Sequence, residues 1–179
     1  MIITVVDYLN ERGKIMANNK GKEFEAVVKQ AFEKMENVSI DRFKDTISRQ
    51  KDNKNPSDFV VYKKPYEYYV ECKTTTQNTL NFNNIRQWDD LVEKSKIKGV
   101  VAGVLVWFRN QDKTIFVPIQ SLVIAKENGC KSIHYMAIEN GHKLGFTGVI
   151  IPGKKKRVYF DYDMDAFFHY FEKEMRKHG

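Results

Sequence analysis

The chain has 179 residues and 42% hydrophobic content, enough to bury one core without disulfide or metal staples. Its 30 Lys and Arg exceed its 23 Asp and Glu, for a formal charge of +7, a bias that favours polyanionic partners, nucleic acid first. Cys72 and Cys130 lie far apart and outside any CxxC spacing, which excludes a disulfide framework and a cysteine zinc site and leads us to expect a reducing, cytoplasmic location.

The opening run from Met1 to Val6 is apolar but ends at Asp7, too short for a signal-peptide core or a membrane span. Met16 reads as a second plausible start, so residues 1–17 are expected to be a loose N-terminal extension and residues 18–179 a single domain. From Asn19 onward, Phe24, Val27, Val28, Ala31, Phe32 and Met35 recur at helical spacing, predicting a strongly amphipathic helix. Residues 41–57 lose that periodicity and carry Arg42, Lys44, Arg49, Lys51 and Lys54; they read as a basic, exposed loop.

Two β-rich runs follow, Asp58 to Tyr62 and Tyr68 to Cys72, separated by a segment with Pro65 where a turn favours it. They predict a hairpin. A helix is expected over Phe82 to Lys96, a doubly covered strand over Gly99 to Phe108 and another strand over Thr114 to Pro118. Ile119 to Glu127 reads as a helix stopped by Asn128-Gly129, and Asp163 to Lys177 as a closing helix with an aspartate cap. The run Lys154-Lys155-Lys156-Arg157 falls in an expected turn between strands and reads as a solvated tip more readily than as a binding site. The four histidines lack metal-ligand spacing, and no Gly-rich phosphate loop or nucleophile elbow is present.

The hairpin carries the chemistry. A turn near Lys64-Pro65 sets Asp58 opposite the stretch with Glu71 and Lys73. Glu71 and Lys73, two apart on a strand, face one side, and Cys72 points away into packing. Two carboxylates and an ammonium in one place suit phosphodiester hydrolysis with Mg2+, which takes oxygen ligands and activates water. The acid-x-lysine pattern occurs twice, at Asp52-Asn53-Lys54 and Glu71-Cys72-Lys73, but only the second follows a β-rich run with a paired Asp. On the upstream helix, Glu25 lies beside the apolar face and is a candidate ligand; Glu23 reads as solvated.

The segments Gly21-Lys22-Glu23-Phe24-Glu25, Ser57-Asp58-Phe59 and Glu71-Cys72-Lys73-Thr74 resemble the PD-(D/E)xK, restriction-endonuclease-like superfamily. With Thr114 to Ile119 and Lys156 to Tyr162, their order over about residues 20 to 171 is similar to the RecU family of Holliday junction resolvases. The resemblance implies an α/β fold with a mixed central sheet flanked by helices. It implies a homodimer that makes paired, Mg2+-dependent nicks in branched DNA, with Mn2+ as a substitute metal and a recombinase as a possible partner. Asp58, Glu71, Lys73 and Glu25 carry over as catalytic residues, with Asp58, Glu71 and Glu25 as metal ligands; the family's glutamine falls near Gln87 or Asp89. Residues 41–57 stand where the family has a stalk, and look short for it. Their basic residues and Gln87 are the candidate DNA contacts. A less selective duplex nuclease and a catalytically silent DNA-binding regulator are the competing readings.

Overall fold

The computed structural model describes residues 20–43, 55–139, 147–156 and 159–177. Helix α1 covers 20–33 and is followed by β1 (Ser39–Arg42), β2 (Phe59–Lys63), β3 (Tyr66–Thr75), β4 (Thr79–Asn81), α2 (Trp88–Lys94), β5 (Val100–Phe108) and β6 (Lys113–Pro118). Then come α3 (Ile119–Glu127), β7 (Ser132–His134), α4 (Tyr135–Glu139), β8 (Val149–Ile150), β9 (Gly153–Lys155), β10 (Phe160–Tyr162) and α5 (Asp165–Lys177). Six strands form a central sheet in the order β1-β2-β3-β5-β6-β8, and β4-β7 and β9-β10 make two small ribbons. The sheet is mixed: β3 and β5 are parallel, and every other neighbouring pair is antiparallel.

The alternation along β3 sorts the side chains into two cores. Tyr68, Val70 and Cys72 pack with Phe24, Val28 and Phe32 of α1 and Phe167, Phe168 and Phe171 of α5. Tyr69 faces the other way, toward Leu91 of α2 and Ile119, Leu122 and Ala125 of α3. The run of buried residues in β5 is what a strand covered on both faces requires. Phe167 sits at the centre of an aromatic cluster, with ring centroids 4.9 Å from Phe116, 5.1 Å from Tyr68 and 5.5 Å from Phe32. Gly103 permits close approach of β5 and β6: a Cβ there would lie 2.4 Å from the Val117 carbonyl oxygen.

The hairpin, the long central strand and the helices over 119–127 and the chain's end fall where the pattern places them. Gly129 adopts φ +82 just beyond α3, the left-handed helix stop glycine allows. The Asp163 carboxylate accepts the Asp165 N–H at 3.0 Å, capping α5. Three expectations are corrected. The helix foreseen over 82–96 is interrupted: residues 79–81 pair with β7, 82–84 form a 3-10 turn, and only Trp88–Lys94 is α-helical. The Asn81 side chain accepts the Asn83 N–H at 2.9 Å, a local bond that competes with helix. The basic loop starts later than foreseen, because Asp41 and Arg42 belong to β1 and pair with Val60 and Phe59. The lysine run begins inside β9, where Lys154 and Lys155 pair with Asp161 and Phe160.

Candidate active site

The β2–β3 ladder builds the site. Phe59 pairs with Val70, so Asp58, one residue before β2, falls level with Glu71. Two bonds fix this corner: the Asp58 carbonyl accepts the Phe43 N–H at 3.1 Å, and the buried Ser57 hydroxyl donates to the Phe59 carbonyl at 2.7 Å. The Asp58 side chain is then held across the ladder, its Oδ2 accepting the Cys72 backbone N–H at 2.7 Å. That backbone donor is a functional contact the sequence reading missed, because it followed side chains only.

Glu71 is fully buried on the face of β3 that Tyr69 shares, toward α2. Lys73 donates to its Oε1 at 2.5 Å, and the lysine side chain retains 25% exposure. Glu71 Oε2 is buried with no hydrogen-bond partner. Burial first, and then the negative charge of Asp58, push the Glu71 carboxyl up to about 7, with Lys73 pulling the other way. Burial also raises Asp58, against the Cys72 N–H and the cationic fields of Lys73 and Arg42. Two neighbouring acids are therefore held in a place that disfavours their joint ionisation. Cys72 itself points into the opposite core, and burial raises its thiol well above the usual range.

Glu25 comes from α1, which packs on the Cys72 face. It forms an ion pair with Arg42 of β1, its own side chain only 16% exposed, and its charge bears on Cys72. Arg42, read from sequence as a phosphate contact, is thus also the partner of Glu25. Glu23 is half-exposed and bonds to Lys20 and Tyr159. Gln87 stands immediately before α2, its Oε1 buried without a hydrogen-bond partner. Lys44, Arg49, Lys51 and Lys54 lie outside the described residues.

The donor set suits a hard divalent cation. Two carboxylates, one with a buried unpaired oxygen, carry more negative charge than their surroundings stabilise. Among the described residues no group of three or more His, Cys, Asp or Glu gathers as a ready-made cage. A pair of protein carboxylates completed by water and phosphate oxygens is how Mg2+ is usually bound, whereas a closed protein cage suits Ca2+ or Zn2+.

No family model matches this chain, and no curated protein matches it. Among solved structures it is similar to Hjc of Archaeoglobus fulgidus, described as a Holliday junction resolvase from an archaeal hyperthermophile. The identity is 19% and the TM-score 0.42, over 57% of this chain and 75% of that one. A likeness of this size assigns no substrate. Among the described residues no helix is long and apolar enough to cross a membrane.

Proposed function

We propose that this protein is a Mg2+-dependent DNA endonuclease, with Asp58 and Glu71 as metal ligands and Lys73 as the catalytic ammonium. The observation that carries the reading is the buried Glu71 carboxylate, with one unpaired oxygen, set level with Asp58 and bonded to Lys73. Among the ion pairs of the described residues this is the one with a fully buried carboxylate, where its charge is costly, as at sites kept for chemistry.

Hydrolysis needs water to attack phosphorus in line with the departing ester oxygen, breaking one P–O bond to give a phosphate monoester and a hydroxyl. Asp58 and Glu71 would hold a divalent cation, which would supply Lewis acidity toward the phosphate and the attacking water. The residues do the rest. Cys72 N–H holds Asp58 in one orientation. Lys73, the solvent-facing member of the pair, places N–H donors beside the position a phosphate oxygen would take, where charge develops during attack. Glu25, paired with Arg42, does not gather with Asp58 and Glu71 into one ligand group, and in this reading it would reach the metal only through water.

The substrate is branched DNA, cut by paired symmetric nicks across a four-way junction by a homodimer; the order of sequence motifs supports this finer reading. A two-fold symmetric pair of sites is suited to two symmetric cuts. The test is to map nicks on a labelled four-way junction beside matched linear duplex, with Mg2+ or EDTA. Paired nicks confined to the junction support the resolvase. Equal cutting of both substrates makes the protein a less selective duplex nuclease, and binding without cutting makes it a silent DNA-binding protein.

A further inference from the structure

The β9–β10 ribbon is anchored at the same end of the sheet as Lys73. Its Tyr159 and Phe160 rings pack on Trp107 at 6.2 and 6.3 Å, and Trp107 is the β5 partner of Thr74, the residue after Lys73. Lys155 forms an ion pair with Asp112 in the β5–β6 turn, so a second element fixes the ribbon there. On the other side Tyr159 bonds to Glu23 and Lys20, both at the start of α1. The ribbon therefore has a set position relative to the cutting site. Trp107 belongs to the core shared by Cys72 and α1, so the ribbon lies at the Lys73 end of the sheet on the α1 side, across the sheet from the Lys73 side chain.

Its outward surface is cationic. Lys154, Lys155 and Lys156 are all exposed, and Lys34 of α1 joins them by bonding Asp161, which Lys156 also reaches. Asp161 and Asp112 pair with three of these four ammoniums, leaving an excess of positive charge. Lys154 has no ion-pair partner among the described residues. The ion pairs are exposed, with Lys155 and Lys156 at 59% and 63%, so they are worth little and are readily exchanged for phosphate.

We propose that this ribbon is a second DNA contact, in which Lys154, Lys155 and Lys156 hold backbone phosphates flanking the cut. The proposal rests on the nuclease reading of Asp58, Glu71 and Lys73. The contact of Lys154, Lys155 and Lys156 is to phosphate and carries no base preference, since an ammonium acts as a point charge without a bidentate donor fork. It adds affinity and register on the side of the site away from β1.

The test is anisotropy of a labelled four-way junction in EDTA across a range of salt, so that binding is read without cutting. Lys154→Ala/Lys155→Ala should weaken binding about tenfold and lower the slope of log affinity against log salt by about two. Lys96→Ala/Lys98→Ala removes the same charge from exposed positions at the opposite end of β3, and should change neither. Lys154→Ala alone breaks no ion pair among the described residues and should lower the slope by about one, which keeps the test open if the double variant folds poorly. Equal losses at the two ends would overturn the proposal in favour of net charge, and an unchanged slope in the ribbon variants would overturn it outright. Failure of the wild type to bind the junction or its matched duplex would remove the DNA-nuclease reading itself, and the ribbon contact with it.

Discussion

The Asp58 carboxylate accepts the Cys72 backbone N–H at 2.7 Å, tying the acid that opens β2 to the strand carrying Glu71 and Lys73. The bond lies just beyond Phe59–Val70, the last pair of the β2–β3 ladder. Asp58 thus has a structural role in addition to its proposed chemical one, and substitutions can separate the two. Asp58→Asn keeps an oxygen for the Cys72 N–H, whereas Asp58→Ala leaves that donor without its partner. Asp58→Ala should be less stable than Asp58→Asn by about 1–3 kcal/mol in urea denaturation. Equal stabilities would show that water replaces the bond at no cost.

Glu71→Gln should stabilise the metal-free protein. The amide keeps an acceptor for Lys73 and removes a buried charge that Asp58 opposes, a gain of about 0.5–2 kcal/mol typical of relieved functional sites. Adding Mg2+ should raise the melting temperature of the wild type, because the ion binds only the folded form. It should leave Glu71→Gln nearly unmoved. A variant less stable than wild type in EDTA would count against a destabilised acid pair.

Lys73→Met should reduce cleavage by about 10²–10⁴-fold, the usual scale for loss of one acid, base or charge-stabilising group. Lys73→Arg should recover part of that loss, since it restores a cationic donor in a different shape. Single-turnover rates at saturating DNA measure this directly. Wild-type rates in Lys73→Met would remove Lys73 from the chemistry.

Gly103→Ala should destabilise the fold by about 1–3 kcal/mol or more. A methyl group there would meet the Val117 carbonyl at 2.4 Å and the Phe116 ring at 2.6 Å, and neither can move without disturbing the β5–β6 ladder. A thermal melt identical to wild type would show that the two strands can separate at little cost.

The site's skeleton was legible because it depends on local geometry. Pro65 marks the turn, period-two alternation puts Glu71 and Lys73 on one face, and near symmetry about the turn brings Asp58 level with Glu71. Long apolar runs such as β5 were legible for the same reason. What could not be read depends on tertiary partners. The helix expected over 82–96 has the right apolar residues, yet Thr79–Asn81 pairs with β7 about fifty residues on, and the Asn81 side chain bonds locally instead of allowing helix. The Arg42–Glu25 pair joins an edge strand to a helix, and no spacing rule brings those together. The ribbon at Lys154 reads as an isolated basic turn until Trp107 and Asp112 show which end of the sheet it occupies.

The most direct test of the central claim is cleavage of a four-way junction by wild type and Asp58→Asn, each with Mg2+ and with EDTA, alongside binding in EDTA. Wild type should cut only with Mg2+, and Asp58→Asn should lose cutting by about 10³-fold or more while still binding the junction. Cutting by Asp58→Asn at the wild-type rate, or wild-type cutting that persists in EDTA, would contradict a metal-dependent site built on Asp58 and Glu71.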